Sequence, residues 1–195
     1  MGKEKHDFHS LKRILGIFKG VTINCCHKHK KSVRPSAFRA VNNTAEQTVT
    51  ADTPLIPVLY PDEVFDLNHE YNPVASTFTP KQDGIYSIIA SVSFAGPTLY
   101  YRVLISIQIN GNHVVADNDF FGVIPFSDVT SVSAILQLTA GDKVNVSVVS
   151  STNGFLLANP LVMHFEAARL PSPLINDPVA TGITYSSDIL NSREI

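Results

Sequence analysis

The chain has 195 residues, of which 44% are hydrophobic and 16% are charged. This composition supplies a buried core for one domain of ordinary size and excludes a globally disordered chain. The net charge of −2 conceals an asymmetry: residues 1–39 carry ten Lys/Arg against two acids, a local +8, and residues 40–195 carry five against fifteen, a local −10. A basic segment on an acidic body can bind nucleic acid, an anionic membrane or another copy of that body.

The first predicted element is a short amphipathic basic helix over residues 6–20. Its apolar residues recur at helical spacing, and they are Phe8, Leu11, Ile14, Leu15 and Phe18. Such a helix docks on protein or lies on a membrane, and we expect it to dock on protein. Its apolar run is too short for a signal peptide, and no stretch approaches the roughly 18 apolar residues of a membrane span. We therefore expect the protein to be made in a cytoplasm.

Cys25 and Cys26 are the only two cysteines in the chain, and they run directly into the basic stretch HKHKK. With His27 and His29 they are candidate zinc ligands, although the two-residue spacer that is usual between thiol ligands is missing. Acylation and two unpaired thiols are further alternatives. A disulfide within the pair would need a strained ring, whereas adjacent thiols that point in opposite directions can each reach a different neighbouring chain. We therefore favour covalent links between subunits.

From Ser36 onwards the period of the apolar residues changes from 3.6 to 2, which predicts β-strands. Alternating apolar rows lie over residues 86–94, 103–109, 132–138 and 144–148, and further strands are predicted at 37–41, 55–60 and 155–167. Asn110-Gly111 predicts a hairpin turn. About eight to ten short strands without a helix predict an all-β sandwich or jelly roll.

The organisation that follows is a basic N-terminal arm (residues 1–34), a β-domain (residues 35–170) and a C-terminal tail (residues 171–195). The tail contains three prolines and scattered apolar residues without a period. The arm is predicted to be non-globular, because it has no core of its own.

The order of landmarks through the β-domain resembles the globular head of the complement-1q family, a branch of the tumour-necrosis-factor-like jelly rolls. The residues that carry the resemblance are 35–40 (PSAFRA), 65–68 (FDLN), 71–73 (YNP), 78–80 (FTP), 84–86 (GIY), Phe94, Leu138, 141–142 (GD), Val144 and 154–157 (GFLL). The basic arm stands where many such heads carry a collagen stalk, and none of the family's calcium positions transfers to this chain. The resemblance implies an antiparallel ten-stranded jelly-roll sandwich that forms a homotrimer. Bulky residues that flank strands are the candidates for the trimer interface, and they are Tyr100, Tyr101, Phe120 and Phe121.

The sequence contains no catalytic constellation: a Gly-x-Ser-x-Gly motif, an H-E-x-x-H motif and a Gly-rich phosphate loop are all missing. His113 and His164 are expected to be surface or core histidines. Asp117, Asp119 and Asp128 offer oxygen ligands for calcium, but a solvated loop is the favoured interpretation. We expect neither an enzyme nor a cofactor, with calcium and zinc kept as alternatives.

These observations predict a structural, self-assembling protein, a trimeric jelly roll whose arm couples it to the next trimer by strand addition or helix docking. A head-to-tail contact that does not close builds a fibre. The residues predicted to couple subunits are Phe8, Leu11, Ile14, Leu15, Phe18, Cys25, Cys26, Lys28, Lys30, Lys31 and Arg34. Bacterial proteins that resemble the family occur on spore surfaces, so we expect an appendage or outer-layer subunit on a spore or cell surface.

The partners expected are therefore the chain itself, as a homotrimer and higher polymer, and a surface anchor protein. The alternative is a trimeric ligand- or receptor-binding head that its arm tethers to a membrane or to another protein. Nucleic acid is not expected, because the basic arm holds few aromatic residues on which bases could stack.

Overall fold

The computed structural model describes residues 34–96, 100–122 and 128–171, and these contain twelve β-strands and no helix. They belong to a compact unit that begins at Arg34. The strands are β1 Ala37–Val41, β2 Gln47–Val49, β3 Asp62–Asp66, β4 Tyr71–Asn72, β5 Thr77–Phe78, β6 Gly84–Ala95, β7 Tyr101–Ile109, β8 Asn112–Phe121, β9 Asp128–Leu138, β10 Val144–Ser150, β11 Gly154–Leu156 and β12 His164–Arg169. The predicted all-β class is confirmed.

The strands form a seven-stranded sheet and a five-stranded sheet, and every pairing within them is antiparallel. In the larger sheet, β6 pairs with β12 and β11 along one edge and with β9 along the other. The sheet continues from β12 through β1 to β3, so that β3 and β9 lie at opposite edges. The smaller sheet runs in the order β4-β5-β10-β7-β8.

The core lies between the two sheets and is built by the alternation that the sequence displays. The inward row of β6, which is Tyr86, Ile88, Ala90, Val92 and Phe94, is fully buried. Inward rows of β7 and β10 contribute to the same core cluster. Burying each large apolar side chain contributes about 1.5–3 kcal/mol, which is why the period-2 pattern dictates which face of each strand turns inward.

An aromatic cluster joins the sheets at one end of the core. Phe38 of β1 stacks on Tyr71 of β4 and on Phe78 of β5, with ring centroids 4.6 Å and 4.9 Å apart. It also meets Phe165 of β12 edge-on at 5.0 Å. β4 and β5 have only two residues each, so these ring contacts, rather than a long ladder of hydrogen bonds, anchor them to the domain.

The hairpin predicted at Asn110-Gly111 is confirmed. Asn110 and Gly111 have φ angles of 53° and 81°, and they connect β7 to β8. Positive φ at both central residues is the requirement of the type I′ turn, whose twist matches that of the flanking strands.

Three expectations about strands need correction. The predicted strand at 55–60 is not formed, because Pro57 has no N–H to donate: Leu55 makes an isolated bridge to Val148, and the Val58 N–H donates to the Val146 carbonyl at 2.8 Å. The predicted strand at 155–167 divides into β11 and β12, since a loop containing Pro160 intervenes. The predicted count of ten strands is not confirmed, because the described residues hold twelve. The predicted helix at 6–20 and residues 172–195 of the tail lie outside the described residues.

Candidate assembly surface

The outer face of the seven-stranded sheet carries large apolar side chains that the domain's own core does not use. Ile89 of β6 and Val129 and Ile135 of β9 alternate with inward residues and are exposed, and Ile135 retains 68% of its surface. Phe65 of β3 is also exposed and pairs with Arg39 of β1. Scattered exposed apolar residues are ordinary, but several on one sheet face are typical of a protein–protein interface.

Short side chains separate these apolar residues. Ser133 stands opposite Ile89 in the pairing of β6 with β9, and Ser87 stands opposite Ile135. Ala168 of β12 pairs with Ser87 from the other side. Short residues between the apolar ones leave the face open to close contact with a second protein surface.

An ion pair lies in the middle of this face. Arg39 of β1 and Glu166 of β12 stand opposite each other, and the Arg39 Nη1 atom lies 2.7 Å from the Glu166 Oε2 atom. The same cross-strand row continues to Phe65 on one side and to Ile89 on the other. The face therefore presents apolar residues around a polar centre, an arrangement that can fix the register of an interface.

His164 adds a titratable group beside the ion pair. Its Nδ1 atom lies 3.7 Å from the Glu166 Oε1 atom and has no hydrogen-bond partner among the described residues. Burial lowers the pKa of His164 and is the largest effect on it. Of the two smaller effects, the Glu166 carboxylate raises this pKa and the Arg39 guanidinium lowers it. The imidazole is therefore neutral near pH 7, and acidification places a positive charge on this face.

The outer face of the five-stranded sheet holds a second polar cluster, which sequence reasoning missed. Ser106 Oγ lies 2.7 Å from His113 Nδ1 and 2.7 Å from Ser147 Oγ, and the Gln108 amide nitrogen lies 3.1 Å from His113 Nε2. Since the amide donates to Nε2, the neutral imidazole carries its proton on Nδ1 and donates to Ser106. The sequence does contain a signal for this cluster: Ser106, Gln108 and His113 lie on either side of the predicted hairpin turn, so the two strands bring them together.

The structure separates the four predicted trimer-interface residues into two classes. Tyr100 and Phe120 are exposed, at 76% and 77%. Tyr101 is buried, its ring lies 5.1 Å from that of Phe94 and 5.6 Å from that of Phe121, and its hydroxyl donates to Asp128. Burial raises the pKa of Tyr101. Tyr101 and Phe121 therefore pack against the core of their own chain, whereas Tyr100 and Phe120 are open to a partner, and the interface role of all four residues stays a prediction.

Sequence reasoning also missed the apolar residues of the outer face. Ile89 and Ile135 occur out of phase with the inward rows of their strands, and the residues two positions before and after each of them, on the same face, are polar. An apolar residue in the outward phase of a two-faced strand is the signal that would have identified them.

Most of the residues predicted to couple subunits lie in the part of the chain outside the described ranges. These are Phe8, Leu11, Ile14, Leu15, Phe18, Cys25, Cys26, Lys28, Lys30 and Lys31, together with the zinc candidates His27 and His29. Arg34 is described and is exposed. Its backbone exchanges hydrogen bonds with the Gln82 side chain at 3.4 Å, donating to Oε1 and accepting from Nε2.

The three carboxylates of the calcium alternative lie within the residues that the structure describes. No group of three or more His, Cys, Asp or Glu side chains within them is arranged to hold a metal ion. Asp117 and Asp119 lie on β8, and Asp128 begins β9. The strand pairing explains why the three carboxylates do not converge. Within the same ranges, no helix is long and apolar enough to cross a membrane.

Comparisons with known proteins agree with this fold. A family model described as "C1q domain" matches residues 37–163. The globular domain of zebrafish complement 1qA is similar with a TM-score of 0.55 and 20% identity, over 71% of this chain and 99% of that one. Murine APRIL, in a crystal structure at pH 8.5, is similar with a TM-score of 0.52 and 14% identity, over 70% of this chain and 100% of that one. Eiger TNF from S. frugiperda is similar with a TM-score of 0.51 and 13% identity, over 75% of this chain and 98% of that one. At these identities the structures show a shared fold. A search of curated proteins found no match.

Proposed function

We propose that this chain, which belongs to the C1q domain family, is a structural subunit that assembles as a homotrimer. In this proposal its N-terminal arm couples the trimers into a fibre or a surface layer. C1q and TNF-like domains form trimers and are generally non-enzymatic structural or binding modules. The observation that carries the trimer is the outer face of the seven-stranded sheet, with Ile89, Val129 and Ile135 around the Arg39–Glu166 pair.

Covering this face in a trimer would remove apolar surface from water at about 25 cal/mol per Å². It would also exclude solvent from the Arg39–Glu166 pair, which strengthens the attraction between the two charges but costs desolvation. The pair therefore contributes to the register of the interface rather than to its affinity.

The support for coupling between trimers is the charge distribution. Residues 40–171 carry twelve acids against four Lys/Arg, whereas residues 1–39 carry a net +8. Opposite charges on two parts of one chain favour contacts between copies. In this proposal, Phe8, Leu11, Ile14, Leu15 and Phe18 supply an apolar anchor, and Cys25 and Cys26 form disulfides to neighbouring chains. In this proposal the protein lies on a spore or cell surface, where a surface anchor protein holds it as an appendage or outer-layer subunit.

Negative-stain microscopy and sedimentation of the purified full-length chain, beside a variant lacking residues 1–33, test this proposal. We expect fibres from the full chain and isolated trimers from the truncated one. Reductant is expected to shorten or dissolve the fibres, and Cys25→Ser with Cys26→Ser should reproduce that effect without reductant. Isolated trimers from both proteins would overturn the coupling role of the arm, and monomers from both would overturn the trimer.

A second candidate function is a trimeric ligand- or receptor-binding head with the arm as its tether. The observation that favours it is the pair of exposed aromatic residues Tyr100 and Phe120, with Phe120 opposite Arg102 across the β7–β8 pairing. Tyr, Phe and Arg are enriched in interfaces. In the same experiment this function predicts isolated trimers whether or not the arm is present.

A further inference from the structure

β3 is an edge strand that carries both acidic and exposed apolar side chains. Within the described ranges its strand partner is β1. Val64 and Leu67 are exposed, at 56% and 60%. Asp62, Glu63 and Asp66 lie among them, and the sequence contains no Lys or Arg from residue 40 to residue 80. We call residues 62–67 the β3 edge.

The carboxylates at the two ends of the β3 edge are held in place by the chain around them. Asp62 accepts hydrogen bonds from the Asn43 N–H at 2.7 Å and from the Thr44 hydroxyl at 2.9 Å. Asp66 accepts from the Tyr71 N–H at 2.7 Å. Among the residues that the structure describes, neither these two carboxylates nor Glu63 forms a salt bridge. The edge is therefore a row of three negative charges, held in place at its two ends by hydrogen bonds, that no cation among the described residues neutralises.

The β3 edge is also protected against pairing with another copy of itself. The register of β1 with β3 shifts between Arg39 and Ala40, and this bulge leaves Val64 without a partner on β1. Bulges and charges on a short edge strand prevent unselective strand pairing. Two β3 edges side by side would also place acids against acids. A basic segment does not meet this repulsion, so the edge is selective for positive charge.

We propose that the β3 edge receives the basic N-terminal arm of a second copy of this chain. This inference rests on the proposed function and assigns the surface to which the arm is coupled. If the arm binds in an extended conformation, the alternation of side chains along it would place Lys28 and Lys30 on one side and Lys31 on the other. Asp62 lies on the outer side of β3, in register with Val41, and Glu63 lies on the other side, in register with Ala40. Lysines on both sides of the arm thus meet carboxylates on both sides of the edge, and Val64 and Leu67 offer apolar contact.

Charge reversal in the full-length chain tests the inference. The body variant is Glu63→Lys, because Glu63 is exposed and, unlike Asp62 and Asp66, its carboxylate accepts no hydrogen bond from the residues that the structure describes. The arm variant is Lys30→Glu with Lys31→Glu. Each variant alone is expected to raise the protein concentration needed for fibre formation about tenfold, as one lost attraction and one gained repulsion at an exposed site predict. The two changes combined in one chain should restore assembly.

Mixing the body variant with the arm variant identifies whose arm binds. Each arm in the mixture meets an oppositely charged edge only on the other variant, so docking between copies predicts that the mixture forms fibres when neither variant does alone. Asp117→Lys is the matched control, since it reverses an exposed acid on β8, an edge strand of the other sheet. It should leave fibre formation unchanged, and circular dichroism should show unchanged folding for every variant.

The outcomes separate the two proposals. Wild-type fibres together with undiminished assembly of Glu63→Lys would overturn the β3 edge alone and leave the coupling role of the arm intact. An equal loss in Asp117→Lys would overturn it as well, because the effect would then be one of net charge. Rescue in the doubly changed chain without rescue in the mixture would show that the arm docks on its own body. Absence of fibres from the wild type would overturn both proposals.

Discussion

Ile135→Asp is the substitution that tests the outer face of the seven-stranded sheet most directly. Ile135 retains 68% of its surface in the single chain, and it faces away from the core between Ala134 and Leu136. Folding of the single chain should therefore change by no more than about 0.5 kcal/mol. A trimer that buries this face, by contrast, would have to accommodate three carboxylates in an apolar contact.

The magnitude follows from the surface that remains to be buried. Full burial of an isoleucine side chain contributes about 1.5–3 kcal/mol. Ile135 has about two thirds of that surface still exposed, so its burial in an interface contributes about 1–2 kcal/mol per subunit and about 3–6 kcal/mol per trimer. The dissociation constant of the trimer should accordingly rise by about a hundredfold to ten-thousandfold. Desolvation of the new carboxylates adds to this loss.

Sedimentation velocity over a concentration series is the assay, performed on the chain without residues 1–33 so that fibres do not interfere. Val74→Asp is the matched control, because Val74 is 89% exposed and lies in the turn between β4 and β5 of the other sheet. The control should remain trimeric at the concentrations where Ile135→Asp has become monomeric. Equal trimer stability in the two variants would refute the assignment of this face.

Three further predictions concern the ion-pair centre and the core. Because burial lowers the pKa of His164 below its usual 6.5, its contribution to the stability of the folded chain is complete above pH 6.5 and is lost as the pH falls through the lowered pKa. A trimer that covers His164 would disfavour its charged form further, so we expect the trimer to dissociate as the pH falls below about 6.5, and His164→Gln to abolish this dissociation in sedimentation measurements. An unchanged pH profile in the variant would contradict this. Phe38→Ala removes the ring that joins Tyr71, Phe78 and Phe165 and should lower the free energy of unfolding by about 3–5 kcal/mol in urea titrations, whereas a loss below about 1 kcal/mol would contradict its central place. Tyr101→Phe leaves the buried Asp128 carboxylate without its hydroxyl donor and should cost about 1–3 kcal/mol; Tyr100→Phe is its control, and an equal effect in both would disprove the role of the buried hydrogen bond.

The rows of alternating residues gave the most reliable sequence predictions. The inward rows over 86–94, 103–109 and 144–148 lie in β6, β7 and β10, because moving such a row to the outer face would expose every apolar residue in it. The hairpin at Asn110-Gly111 was equally predictable, since few residue pairs tolerate two consecutive positive φ angles.

The predictions that failed concern short or irregular segments. β4 and β5 have too few residues to show a period, and they exist because rings that are distant in sequence stack on them. The segment 55–60 has the apolar content of a strand, but Pro57 prevents a continuous ladder of hydrogen bonds. The apolar composition of the segment does not reveal that Pro57 interrupts its hydrogen bonds.

The sequence predicted only part of the candidate sites. It identified the contrast between a basic arm and an acidic body, because charge can be counted without a fold. It did not distinguish Tyr100 from Tyr101, because the sequence does not show that β7 begins only at Tyr101. Nor did it distinguish Phe120 from Phe121, since adjacent residues of a strand point to opposite faces and the pairing of β7 with β8 decides which face is the core.

The sequence by itself determined the β class and the polarity of charge along the chain, because these depend on local periodicity and composition. The order of its landmark residues carried the resemblance to the complement-1q family. Only the tertiary structure decided which residues from distant strands share one surface. Arg39, Glu166 and His164 come from the two ends of the domain, and β1 and β12 bring them together as neighbouring strands of one sheet. Likewise, Asp62, Glu63 and Val64 form an open edge only because β3 is the last strand of its sheet within the described chain. Non-local strand pairing creates both surfaces, and no local pattern in the sequence encodes it.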